Sequence, residues 1–182
     1  MSNAVQNDVV QLMREANRAR FENPNEAHRL YSKALECCRS GRNRRDLIQA
    51  LKGLGQIERD LNNNDAALRL YEEAVAICRE EGDALMLAHT VRHVGDIHQD
   101  ARRDELAEPC YYEALSIYRS HAETLPLDLA NTIRPLAILK ETAGEFEEAT
   151  RLWTEARDLY AAVNVSQGVA ESSRRLARLQ FP

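Results

Sequence analysis

The stretch His89–Asp100, HTVRHVGDIHQD, sets three histidines and two aspartates within twelve residues. Imidazole and carboxylate are the usual hard-to-borderline metal ligands, and a His pair four apart on a helix can hold zinc with a carboxylate as third ligand. Wound at about 3.6 residues per turn, the stretch places His89, Arg92, His93, Asp96 and Asp100 on one side. Val91, Val94, Gly95 and Ile97 fall on the packing side, with His98 among them. The three histidines are therefore not one site. Arg92 beside the pair would repel a cation, and position 90 is Thr, so the HExxH pattern of a helical zinc enzyme is absent. The metal-binding reading is the weakest of those open to this stretch. Its expected role is polar lining, with His89, Arg92, His93 and Asp96 facing a ligand and no metal bound.

Other chemistry is thin. The sequence holds no Gly-rich phosphate loop and no GxSxG elbow. Its four cysteines, Cys37, Cys38, Cys78 and Cys110, make no CxxC pair, so they read as buried thiols rather than metal ligands. No catalytic residue and no cofactor are expected, and the chain reads as a non-enzyme.

The elements that carry this stretch repeat. Ala27 opens AHRLYSKALECCR, Ala67 opens ALRLYEEAVAICR, Ala107 opens AEPCYYEALSIYR and Ala149 opens ATRLWTEARDLYA. Within these segments the fifth column is Tyr31, Tyr71, Tyr111 and Trp153, and the eighth is Ala34, Ala74, Ala114 and Ala156. Apolar residues such as Leu68, Tyr71, Val75 and Cys78 recur at helical spacing, which makes each segment one helix, here helix B. A second helical pattern, helix A, precedes each and carries Leu54-Gly55, Val94-Gly95 or, in the fourth copy, Leu136-Ala137. Polar turns join A to B. A period near 40 residues marks a stacked array, because one helix pair cannot cover its own apolar face.

These columns resemble the tetratricopeptide repeat (TPR) family, in its long-repeat variety similar to kinesin light chain-type repeats. The resemblance runs from about Asp8 to Gln180. It implies an all-α, right-handed α-solenoid of four helix-turn-helix repeats plus a C-terminal capping helix. The whole of 1–182 is read as a single domain, with repeats near 8–40, 44–81, 84–121 and 127–163 and a cap at 167–180. The alternative for that last helix is a first helix cut from its partner. The family's chaperone-binding members use a carboxylate clamp of Lys, Asn and Arg. Its late basic positions fall here at His89 and His93, and its early Lys and Asn fall near Gln11 and Glu15, so that activity is not transferred.

The resemblance also implies that helix A lines the concave groove. Three residues before Gly55, Gly95, Ala137 and Ala177 stand Lys52, Arg92, Arg134 and Arg174, a basic ladder. Gln56, His89, His93, Asp96 and Asn131 lie on neighbouring turns of the same face. The expected function is a protein–protein interaction scaffold that binds a peptide or partner segment, with an acidic one favoured by the ladder. A ligand-sensing regulatory subunit is the alternative, and a metal-binding protein is a more distant one. The net charge of −5 excludes a general nucleic-acid binder. No apolar run approaches the roughly 18 residues of a membrane span, and MSNAVQNDVV lacks the pattern of a secretory leader. No membrane association and a cytoplasmic location are therefore expected. No pattern fixes an oligomeric state.

Overall fold

The computed structural model describes residues 3–41 and 43–179; the side chains of residues 3–6 are not described. Met1, Ser2 and Gln180, on which parts of the sequence reading fall, lie outside these residues. Nine helices occur among the described residues: α1 (Asn3–Ala19), α2 (Pro24–Arg39), α3 (Arg44–Asp60), α4 (Asn64–Glu81), α5 (Ala84–Asp100), α6 (Asp104–Ser120), α7 (Pro126–Thr142), α8 (Phe146–Ala162) and α9 (Ser166–Leu179). They alternate as A and B, and α9 is a final A. The chain divides into two compact units, Met1–Asp83 and Ala84–Pro182, at the boundary between the second and third repeats.

In the first unit α1 packs on α2, α2 on α3 and α3 on α4, and α1 also reaches α3. The second unit repeats the scheme: α5 packs on α6, α6 on α7, α7 on α8 and α8 on α9, and α5 reaches α7. Helices A of successive repeats therefore lie beside one another within each unit. The aromatic column forms the core, with Tyr31, Tyr71, Tyr111 and Trp153 all at most 4% exposed. The two alanine columns are fully buried, as close helix approach requires. Cys38 and Cys78 are buried free thiols, and burial pushes the Cys38 thiol up to about 11.

Local chemistry sets the ends. Asn23 and Asn43 accept hydrogen bonds from the backbone N–H of Glu26 and Asp46, each at 3.1 Å, and so cap α2 and α3. Four turns close with one device, a backbone N–H bonded to the carbonyl five residues before it. These bonds join Asn63 to Glu58, Arg103 to His98, Glu145 to Lys140 and Val165 to Tyr160, at 2.8–2.9 Å. Each needs a left-handed residue, and the chain supplies Asn62, Arg102, Gly144 and Asn164. Pro24 and Pro126 open α2 and α7, but two other prolines lie within helices. Pro109 lies inside α6, past the first turn, and Pro135 lies inside α7 without ending it.

Glycines mark where an aromatic ring lies directly on a helix A backbone. A Cβ on Gly55 would meet the Tyr71 ring at 2.8 Å, and one on Gly95 would meet Tyr111 at 2.9 Å. Two contacts the repeat alignment misses are tighter: Gly53 beneath Tyr31, at 2.0 Å, and Gly168 beneath Tyr160, at 2.4 Å. Both join helix B of one repeat to helix A of the next. Ala177, aligned with the glycine column, is exposed. Gly53→Ala tests this packing by sign. Helix propensity alone predicts a gain of about 1 kcal/mol, whereas overpacking against a buried ring predicts a net loss of about 1–2 kcal/mol. Urea unfolding of the variant is expected to show the loss.

Candidate functional site

The residues singled out by sequence divide between the two units. Lys52 and Gln56 are half-buried on α3, and Gln56 Nε2 donates to Asp60 Oδ1 at 2.9 Å. The others lie on the helices A of the second unit: His89, Arg92, His93 and Asp96 on α5, Asn131 and Arg134 on α7, Arg174 on α9.

On α5 the cluster is an internal network rather than an open cup. Asp96 is buried at 7% exposure, so its charge must be met by protein groups. Arg92 Nη1 lies 3.1 Å from Asp96 Oδ2, an i,i+4 pair, and His93 Nδ1 lies 3.3 Å from the same oxygen. Tyr111 OH is 3.0 Å from Asp96 Oδ1 and 3.1 Å from Gln99 Oε1. Gln99 in turn donates to the carbonyl of Pro135 on α7, at 3.3 Å. Arg92 Nη2 is 2.8 Å from His93 Nε2. A guanidinium only donates, so Nε2 accepts in this contact. The His89 and His93 rings pack tilted with centroids 4.7 Å apart, and His98 is half-buried on the same helix. No group of three or more His, Cys, Asp or Glu side chains among the described residues is placed to hold a metal ion. Asp96, the carboxylate such a site would need, already faces Arg92 and Tyr111.

On α7, Arg134 does not stand free. Its Nε and Nη2 donate to Glu171 Oε2 and Oε1 of α9 at 2.7 and 2.9 Å, a two-pronged pair. Glu171 holds the Arg134 guanidinium above its ordinary value, and Arg134 holds the Glu171 carboxyl below its own, assisted by Arg175 and Arg174. Asn131 Oδ1 accepts from Tyr160 OH at 3.0 Å. Arg174 is exposed. Nearby, Arg175 Nη1 donates to both oxygens of Glu141 at 3.1 and 3.2 Å and its guanidinium lies 5.6 Å from the Trp153 ring centroid.

The sequence reading missed Tyr111, buried beneath this surface, and Glu171, which is part of it. Tyr111 was visible only as a core aromatic, although a buried tyrosine hydroxyl needs a partner. Glu171 stands 37 residues from Arg134; six residues before Ala177, it falls in the repeat column of His89 and Asn131, which was the signal that could have found it. A separate groove of about 640 Å³ is lined on α8 by Thr150, Arg151, Thr154, Glu155, Asp158 and Leu159, none of them a residue singled out by sequence.

Helix pairs stacked so that helices A line up within each unit, with a polar helix A face over an aromatic core, define a helical-repeat interaction scaffold. The family model described as tetratricopeptide repeat matches residues 16–80 and 46–120, together more than half of the chain. The chain belongs to the tetratricopeptide repeat family. Comparison with curated proteins gave no match. Among solved structures, aspartyl phosphate phosphatase F from Bacillus subtilis superposes with a TM-score of 0.85 at 11% identity; the match covers 95% of this chain but 45% of that one. A Podosopora anserina putative kinesin light chain with nearly identical TPR-like repeats gives 0.72 at 15% identity, covering 99% and 97%. BtubC (BKLC) from P. vanneervenii gives 0.66 at 18%, covering 98% and 92%. At these identities the likeness is one of fold, and it bears out the all-α solenoid class. No helix among the described residues is long and apolar enough to cross a membrane.

Tyr111→Phe keeps the ring on Gly95 but takes a hydrogen bond from a buried carboxylate. It is expected to lower unfolding free energy by about 1.5–3 kcal/mol, read from urea midpoints. The lowered Glu171 value means that its contribution is present above the unfolded carboxyl pKa of about 4.3 and is lost as pH falls through the folded value. Wild type should therefore melt above Glu171→Gln at pH 7, and the two should converge as pH falls through the lowered Glu171 value.

Proposed function

We propose that this chain is a non-catalytic scaffold that takes a peptide or partner segment, acidic in part, along the helix A face of its second unit. One observation carries the reading. Arg92, His93, Asn131 and Arg134, polar side chains of α5 and α7, are aimed by internal contacts with Asp96, Tyr160 and Glu171, and the His89 ring packs against that of His93. Preordered polar groups spend less entropy on binding than mobile ones. Such a row can bond an extended backbone, and exposed Arg174 adds an anion contact. A cytoplasmic location, no cofactor and no nucleic-acid or membrane partner belong to the same reading.

The ion pairs decide which variants are informative. Arg92→Glu would set a second carboxylate against buried Asp96 and unfold the surface it is meant to test. Arg174→Glu leaves the network in place, and Asn131→Ala removes its Tyr160 contact alone. A peptide array of acidic, neutral and basic sequences is expected to give binding weighted to acidic members and weakened at least about fivefold by Arg174→Glu, the size of a modest charged contact. Equal binding of acidic and basic sequences, unchanged in both variants, would remove the reading.

A further inference from the structure

Arg92 and Arg134 occupy equivalent rungs but are neutralised in different ways. Arg92 is paired with Asp96 one turn along its own helix, with side-chain exposures of 14% and 9%. That pair is closed to solvent and tied into Tyr111 and His93. Arg134 is met by a carboxylate from a different helix, and this pair lies open, with side-chain exposures of 42% and 23%. Both carboxylate oxygens of Glu171 are used, each by a separate N–H of the fork. This is the geometry by which an arginine receives any carboxylate. Arg174 and Arg175 of α9 add positive field at Glu171, and Arg175 is itself paired with Glu141.

We infer that Arg134 is the anion seat of the helix A face, that Glu171 of α9 fills it as an internal stand-in, and that an acidic side chain of a partner binds there by displacing Glu171. This deepens the function proposed above and rests on it. An exposed pair of this kind is weakly held, and Glu171 needs only to change rotamer to leave, with α9 staying docked through Ser172 and Leu176, which are buried beneath it. Once it leaves, Arg134 and Arg174 present two positive charges to one incoming acid. The seat then discriminates by competition: a ligand with a single weak acid does not displace Glu171, whereas a run of acids does. Arg92 takes no part in the exchange, because withdrawing Asp96 would strand a buried charge.

The test uses the full chain and a labelled oligoglutamate peptide at pH 7, followed by fluorescence anisotropy, with oligoglutamine as the neutral control. Glu171→Gln removes the competing charge and is expected to bind oligoglutamate about tenfold more tightly than wild type, the worth of one charged hydrogen bond. Glu147→Gln makes the same charge change on exposed α8 and should leave the affinity within twofold of wild type. Adding Arg134→Gln to Glu171→Gln should abolish the gain. Circular dichroism checks that each variant retains its helix content, and the Arg134 Nε–H resonance of the wild-type chain should move as peptide is added. If wild type and Glu171→Gln bind alike and Arg134→Gln weakens both, displacement is overturned while the acidic-partner reading stands. If Glu147→Gln gains as much as Glu171→Gln, the effect is general charge and the seat is overturned. If oligoglutamate binds no variant better than oligoglutamine, both readings fall.

Discussion

The contact on which the structure depends is an aromatic ring of helix B laid on a bare stretch of helix A backbone. Tyr111 lies on Gly95, where an added Cβ would stand 2.9 Å from the ring. That closeness brings its hydroxyl to Asp96, one residue further along. Asp96 then fixes Arg92 and His93. A packing contact inside one repeat thus determines the directions of polar groups on the adjoining surface. The same arrangement recurs with other partners: Tyr31 reaches Asn17, Trp153 reaches Glu141 and Tyr160 reaches Asn131. Each of these four aromatics fills the core with its ring and reaches a helix A side chain with its polar end, so core and surface cannot be varied independently there.

The fold was legible because its signal is repeated. Ala27, Ala67, Ala107 and Ala149 would mean little singly, but four copies separate packing from chance. Contacts that occur once were not legible. Gly53 and Gly168 carry the tightest ring contacts, yet they stand at different repeat positions and align with nothing. The left-handed turn residue was hidden for another reason. The backbone bonds define it, and the chain satisfies them with Asn, Arg or Gly.

The site was legible in membership more than in state. Helical geometry placed His89, Arg92, His93 and Asp96 on one side, and the i,i+4 spacing of Arg92 and Asp96 already implied a pair. What the ladder of basic residues does not reveal is its neutralisation, since Glu171 reaches Arg134 across 37 residues. Residue type reports where charge can be; only the packed helices report what has already met it. Asp96 shows the converse. It sits on the polar stripe by period and is nonetheless covered, because the Tyr111 side chain closes over it.

Lys140 gives the second unit a property of a different kind. It is 5% exposed, bonded to Glu108 Oε1 at 2.6 Å and to both Glu145 oxygens at 3.1 Å, with Tyr112 beside it. Glu108 and Glu145 hold its ammonium well above the ordinary lysine value. The chain has three lysines, and the other two, Lys33 and Lys52, precede Asp83. From Ala84 onward, reagents and enzymes that need an accessible, deprotonatable side-chain amine meet none. Acylation, carbamylation or amine cross-linking of the folded protein will mark lysines of the first unit alone, and the appearance of label at Lys140 reports that α6, α7 and the turn after Thr142 have come apart.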